Sequence, residues 1–292
     1  MYRGEGETRT DDPFDGVVEY FALFDTALGQ GEIIAHDRLE RGIEVETPAP
    51  PPEDGGVAPV DLAGTGGDDR LIGGAGDDTL TGGDGSDTLN GGDGDDLILC
   101  GTTGADARDI VYAGRGDDSI DGGHGNDLIF GQDGDDTIAG GFGADDLQGQ
   151  NGNDVITGSA FADILFGGAG DDFLNGGFGH DLINGGAGGD RFFHAAGSEA
   201  QMQGHGSDWV QDYSAAEGDV LVFGGPATAD QFQVNLSHTE NRTSGERAGD
   251  DTLKEAFVIY TPTGQVLWAL VDGGGQASIN LQIGAEVFDL LG

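Results

Sequence analysis

A nine-residue pattern, Gly-Gly-x-Gly-x-Asp-x-aliphatic-x, recurs between Gly64 and Phe193 and constrains the fold more than any other feature of the chain. It is plainest as GGAGDDTLT at 73–81, GGDGSDTLN at 82–90, GGAGDDFLN at 167–175 and GGFGHDLIN at 176–184. A fixed period of this kind marks a repeat architecture, in which each unit is completed by its neighbours. Aligned on the period, the segment holds fourteen units. The sixth position is always aspartate: Asp69, Asp78, Asp87, Asp96, Asp109, Asp118, Asp127, Asp136, Asp145, Asp154, Asp163, Asp172, Asp181 and Asp190. The eighth is always apolar, from Leu71, Leu80 and Leu89 through Ile183 to Phe192.

Helix is excluded, because a glycine at every second or third position costs about 1 kcal/mol each there. The three residues around the apolar position suit a very short strand with its central side chain inward. The six residues before it suit a turn, whose glycines permit positive φ and close backbone approach. Two such half-turns make a coil of eighteen residues, with strands stacked about 4.8 Å apart. Alternate repeats then lie on the same side of the coil. All eight prolines fall outside 64–193, as a continuous hydrogen-bond ladder requires.

Stacking sets the sixth-position carboxylate of one repeat beside backbone carbonyls of the repeat two further on. The expected backbone contributors are the fourth-position glycines Gly67, Gly76, Gly85, Gly94, Gly116, Gly125, Gly134, Gly143, Gly152, Gly170, Gly179 and Gly188. Such a cage is all oxygen and suits a hard cation. Calcium accepts six to eight irregular oxygens, whereas magnesium demands a tight octahedron. Segment 64–193 holds 26 Asp, no Glu and four Arg, about −22 formally, and about ten divalent ions would cancel nearly all of it. Composition alone would favour a disordered acidic tract. The register held through fourteen units argues against that reading in calcium.

These residues resemble the nonapeptides of the RTX (repeats-in-toxin) family of exported calcium-binding proteins. The resemblance implies an all-β protein: a parallel β-roll filled with several calcium ions, followed by a C-terminal β cap. Fourteen units allow twelve pairings, and local breaks reduce the expected number of ions to about eight to ten. One break is CGTTGADAR (100–108), which stretches the spacing from nine to thirteen residues. The other is Phe161, standing where glycine belongs and expected to obstruct the carbonyl approach.

The whole chain of 292 residues carries a formal charge of −44, so nucleic acid and anionic membrane surfaces are excluded as direct partners. Lys254 is the only lysine, which removes a Walker-type phosphate loop. Cys100 is the only cysteine, so an internal disulfide framework is ruled out. The polar start MYRGEGETRT does not read as a signal peptide, and Glu19 and Asp25 interrupt Val17–Leu28, excluding a membrane span. Yet cytosolic calcium is too scarce for weak extracellular-type sites. RTX-like proteins resolve this by type I export from a C-terminal signal. The ending Val287-Phe288-Asp289-Leu290-Leu291 is similar to such signals, with Gly292 a departure. The implied location is extracellular or at the cell surface, with the type I machinery as partner; oligomeric state is left open.

Residues 1–46 read as a separate appendage, 47–63 as a Pro/Gly-rich linker, 64–193 as the β-roll and 194–292 as the cap. In the cap, DWVQDY (208–213) and GDVLVF (218–223) read as strands, Thr261–Gly264 as a hairpin turn, and Ser278–Phe288 as a terminal strand. Two N-x-[ST] sequons, at Asn235 and Asn241, read as accidental.

No catalytic site is expected. H-E-x-x-H and G-x-S-x-G are both absent from the sequence. About 60 residues ahead of the array are too few for a typical catalytic core. His124 and His180 fall in turns about 14 Å apart, too far to share a metal. His36, His194, His205 and His238 form no recognisable constellation. Adjacent pairs such as Asp77-Asp78 face different ways on a turn and read as binding, not acid–base chemistry. The reading is an exported, non-enzymatic calcium-binding protein. The alternatives are a truncated RTX enzyme, toxin or adhesin, or a self-associating surface-layer module.

Overall fold

The computed structural model describes residues 58–101, 103–196, 206–237 and 253–292. The expectations for 1–46, most of the linker, His36, His205, His238 and the second sequon lie outside those residues.

The described chain winds into a solenoid with two eleven-stranded sheets. One begins with Asp61–Ala63, Thr79–Thr81, Leu97–Leu99, Ser119–Asp121 and Thr137–Phe142, and continues through Val155–Ala160, Phe173–Phe178 and Arg191–His194. The other begins with Arg70–Ala75, Thr88–Asp93, Ile110–Arg115 and Leu128–Asp133, and continues through Asp146–Asn151, Ile164–Ala169 and Leu182–Ala187. Successive half-turns alternate between the sheets. Through the repeats neighbours in each sheet pair in parallel, one coil apart, as Leu62 with Leu80 and Ile138 with Ile156. The thirteen-residue unit is absorbed in its turn: Leu89 pairs Val111 and Val111 pairs Ile129, with no slip of face.

Many strands run six residues rather than the three expected, as in Thr137–Phe142. They start at the seventh position and carry on through the first three residues of the next unit. Those residues, mostly glycine, leave neighbouring coils close enough to keep their backbones paired, as Gln150 with Gly168. The turn itself is stitched layer to layer: the Gly76 N–H donates to the Asp93 carbonyl at 2.6 Å and Gly134 to Asn151 at 2.9 Å.

The eighth-position side chains stack as one interior column. Leu80, Leu89, Ile98, Val111, Leu147, Ile156, Leu165, Leu174, Ile183 and Phe192 are fully shielded. Each such burial contributes about 1.5–3 kcal/mol. Leu71 is only partly buried, because Arg70–Ala75 is an edge strand of its sheet.

The cap continues both sheets before changing direction. Asp208–Val210 pairs in parallel with Leu182–Ala187, and Val220–Phe223 with Arg191–His194. Gln265–Leu270 and Asn280–Ile283 add one more parallel layer. The expected hairpin is present: Glu255–Tyr260 runs antiparallel to Gln265–Leu270, closed by the Gly264 N–H on the Tyr260 carbonyl at 2.9 Å. Phe232–Ser237 completes that sheet, antiparallel to Glu255–Tyr260. The stretch read as a single terminal strand is instead a hairpin of Asn280–Ile283 and Glu286–Asp289. Gly284, at φ +60°, turns the chain between them. Among the described residues no helix is long and apolar enough to cross a membrane.

Candidate metal centre

The sixth-position aspartates line the two edges of the roll, where each turn meets the next strand. Asp78, Asp87, Asp96, Asp109, Asp118, Asp127, Asp136, Asp145, Asp154, Asp163, Asp172, Asp181 and Asp190 are all buried. Each Oδ1 accepts the backbone N–H of the residue one coil earlier, Val60 for Asp78 and a sixth-position aspartate for the rest. The Asp78 N–H donates to Asp96 at 2.7 Å, Asp127 to Asp145 at 2.8 Å and Asp172 to Asp190 at 3.0 Å. The chain of donations crosses the insertion unbroken, Asp87 to Asp109 at 2.6 Å.

The other oxygen is the informative one. In Asp78, Asp87, Asp96, Asp109, Asp118, Asp127, Asp136, Asp145, Asp154, Asp163 and Asp172, Oδ2 is buried and makes no hydrogen bond. Leaving a buried carboxylate oxygen unmatched is expensive. Asp69, in the first unit, differs: its Oδ2 accepts the Thr65 N–H at 2.6 Å and the Thr65 hydroxyl at 2.8 Å.

All of these oxygens but those of Asp109 and Asp118 face a small glycine cradle. A methyl added at Gly140 would stand 2.5 Å from Asp145 Oδ2 and 3.0 Å from the Gly158 carbonyl oxygen. One added at Gly122 would meet the Gly140 carbonyl at 2.5 Å and Asp127 Oδ2 at 3.1 Å. A carboxylate oxygen and a carbonyl one coil on therefore flank the same point, as the stacking argument requires. The carbonyl that shares this cradle with Oδ2 belongs to a first-position residue, which the sequence reading left out. The fourth-position glycines form a separate column: in Gly76, Gly85, Gly94, Gly116, Gly125, Gly134, Gly143, Gly152, Gly170, Gly179 and Gly188, φ is positive and lies between +109° and +154°. In that column the Gly76 carbonyl abuts Gly94 and the Gly152 carbonyl abuts Gly170. A methyl added at Gly67, in the first unit, would meet nothing within 4 Å, although the backbone of Gly67 abuts Gly85 in the same way. Buried Cys100 and Ala113 occupy first positions, so two cradles carry side chains.

Phe161 does not obstruct its layer. Its backbone takes the same hand as the glycines, φ +85°, its ring is 64% exposed, and its carbonyl abuts Gly179 as the others do. The ladder passes it intact, Asp145 N–H to Asp163 at 2.9 Å and Asp163 N–H to Asp181 at 2.9 Å.

Electrostatically the rows are strained. Burial, partly offset by the backbone N–H and then reinforced by neighbouring carboxylates, pushes Asp109, Asp118 and Asp154 up to about 7. The same causes push Asp127, Asp136 and Asp163 up to about 8. Desolvated carboxylates of this kind require a proton or a cation. Among the described residues, no three His, Cys, Asp or Glu side chains gather as a metal-binding group. The donors on offer are thus single carboxylates with backbone carbonyls, a hard oxygen set that fits calcium.

Fifth-position side chains point the other way along the stack. Asp77 accepts the Asp95 N–H at 3.1 Å, Asp95 that of Asp117 at 2.9 Å and Asp117 that of Asp135 at 2.9 Å, all exposed. Adjacent aspartates therefore serve different layers. The described histidines are separate too: His124 stacks on Phe142 at 4.7 Å, His180 accepts the Ser207 N–H at 3.0 Å, and His194 lies edge-on to Trp268 at 5.7 Å.

Three carboxylates escaped the sequence reading. Asp106 is carried by the insertion, with a buried Oδ2 lacking a hydrogen bond and a pKa raised by burial. Asp208 and Asp219 continue the two rows into the cap: the Asp190 N–H donates to Asp219 at 2.9 Å, and the Asp181 N–H to Asp208. GHGSDWV (204–210) was in fact a repeat remnant, visible once its Asp-x-aliphatic end is aligned.

A parallel β-roll with rows of buried carboxylates facing backbone carbonyls defines a class, the calcium-binding nonapeptide solenoids. Residues 63–98, 103–138, 130–165 and 157–192 match the RTX calcium-binding nonapeptide repeat in four copies, so 63–192 is an array of RTX repeats. No curated protein matches the chain.

Proposed function

We propose that this is an exported calcium-binding protein, without a catalytic site, whose roll takes up about eight to ten calcium ions outside the cell and folds as it does so. The observation that carries this reading is the run of buried Oδ2 atoms without hydrogen bonds, nine of which share a glycine cradle with a backbone carbonyl. Scattered histidines and aspartates already committed to the ladder support a binding role over acid–base chemistry. Export by a type I system rests on the likeness of Val287–Leu291 to such signals and on the calcium requirement itself. Metal analysis of the dialysed, calcium-loaded protein tests the central claim, and fewer than about four ions per chain would refute it.

A further inference from the structure

The two edges of the roll share buried aspartate rows and differ in what they show to solvent. On one edge the third and fifth positions of the repeat include Asp117, Asp133, Asp135 and Asp171, all exposed. On the other, over the same layers, the third positions are His124, Phe142, Ala160 and Phe178 in consecutive coils. The fifth positions there are Asn126, Ala144, Ala162 and His180. None of these is acidic, in a chain with 55 Asp and Glu. The neutral edge is also where rings surface. Phe142, Phe161 and Phe178 are 57%, 64% and 46% exposed, and among the described residues no other phenylalanine is exposed. Exposed rings gathered in one place mark a surface made for a partner. Phe161 is the sharpest case: at φ +85° it holds a backbone that suits glycine, and its ring is not buried to offset the strain.

The rings are also spaced. Phe142 lies flat on His124, centroids 4.7 Å apart and planes 12° from parallel, so its faces look along the stack. Ala160 carries no ring in the next layer, and Phe178 follows one layer beyond. Two layers span about 9.6 Å at strand spacing, room for one flat ring. Phe178 then leads, through His180 in the same turn, to a cleft of about 490 Å³ beside the cap hairpin. His180, Ser207, Thr263 and Gln265 line it with Pro262 and Val266, and no described residue on its wall is Asp, Glu, Lys or Arg. Nδ1 of His180 accepts the Ser207 N–H at 3.0 Å, so the neutral ring carries its proton on Nε2 as a donor.

A sugar ring fits this chemistry. Its flat faces present C–H groups, which the face of an aromatic ring attracts, and its rim presents hydroxyls, which amide, hydroxyl and imidazole groups bind. An anionic polymer would meet the field of a chain at −44, and a second copy would bring the same charge against it. A cationic partner finds its carboxylates on the other edge. We infer that the edge from His124 to the His180 cleft binds an uncharged polysaccharide, with Phe142, Phe161 and Phe178 as the stacking platform and the cleft as the polar end. The site lies on the outside of the roll and uses none of the buried carboxylates.

Titration calorimetry on the full chain in excess calcium tests this with three neutral probes, cellohexaose, maltohexaose and mannohexaose. At least one should bind, and an anionic hyaluronan hexasaccharide should not. Phe142→Ala and Phe178→Ala should each weaken the binding about tenfold. Phe161→Gly should weaken it as well while leaving the folded chain no less stable, a split that a merely structural ring would not give. Asp133→Ala, at a third position on the other edge, should leave the affinity unchanged. Circular dichroism in calcium checks that each variant is folded. A wild type that binds none of the three neutral probes overturns the proposal with no variant needed. Affinity that survives all three phenylalanine replacements overturns it too, as does a preference for the anionic probe. Self-association of the calcium-loaded chain, lost in Phe142→Ala and unaffected by the sugars, would give the edge to a second copy and overturn the polysaccharide.

Discussion

At Asp145 the chemistry of the whole array is present in one side chain. One oxygen is tied to the Asp127 N–H at 2.8 Å, and the other is buried beside the Gly158 carbonyl and the bare Cα of Gly140. A Cβ at 140 would fill the space between these two oxygens, where a cation would have to stand. Gly140→Ala should lose one bound ion and cost about 1–3 kcal/mol of calcium-loaded stability. Gly66→Ala, where nothing lies within 4 Å, is the matched control. An unchanged ion count in Gly140→Ala would remove this cradle as a site. The same carboxylates predict a dependence on pH. Burial, eased by the backbone N–H and aggravated by neighbours, holds them at about 7 in Asp118 and about 8 in Asp136. An unfolded aspartate titrates near about 3.9. Without metal the folded chain thus binds more protons than the unfolded one between about pH 4 and pH 8. Its stability is full below about pH 4 and is lost as pH rises through the folded values. In chelator, the β signal should be strong near pH 4 and gone near pH 8, and a roll equally folded at both would contradict these shifts.

At the scale of the element, the turn shows how little of a side chain a repeat requires. Gln132, Gln150, Ser159 and Phe161 all sit at positive φ, between +81° and +88°, in places where other units have glycine. Non-glycine residues lose about 1–2 kcal/mol on that side of φ. Phe161 has an exposed ring and little burial to offset this, so Phe161→Gly should raise the stability of the calcium-loaded protein by about 1 kcal/mol. Chemical denaturation would measure it, and a clear loss would mean the ring has a role in the folded chain. The strict positions were legible in the sequence: aspartate at six, aliphatic at eight, and the hairpin at Thr261–Gly264. What stayed hidden depends on backbone or on broken spacing. The first-position glycines are visible in the sequence, but which backbone carbonyl shares a cradle with the carboxylate is not. Asp106 and Asp208 were masked because an insertion and a loop displaced them from the nine-residue count. The hairpin at Gly284 was missed because alternation of apolar and polar residues continues through its turn and mimics one strand.

For the whole molecule, calcium and folding should be a single equilibrium. Each repeat buries one dependable apolar side chain, while nine glycine-rich residues must be ordered to achieve it. Between 64 and 193 there are 26 aspartates against four arginines, and folding brings the sixth-position carboxylates into two dry rows. At neutral pH that arrangement opposes folding. A cation placed between carboxylate and carbonyl reverses the sign, because it attracts the carboxylates on either side, coordinates the orphaned oxygens and binds only where the coils are stacked. The end of the solenoid is closed by the cap hairpins, so growth of the roll has a fixed stop there, and among the described residues the sheets begin at Asp61–Ala63 and Arg70–Ala75. A chain that stays open in low calcium and closes in high calcium suits passage through an export channel followed by folding outside. On adding millimolar-range calcium (about the level extracellular modules need), far-ultraviolet circular dichroism at neutral pH should change from coil to β. Chelator should reverse it, and magnesium should not substitute, since it keeps its waters and its octahedron. The transition should be steep, because each filled layer presents the ladder on which the next one forms. A roll already fully β-folded at neutral pH in excess chelator would show that burial and hydrogen bonds alone outweigh the charge, and the calcium switch would fall with that result.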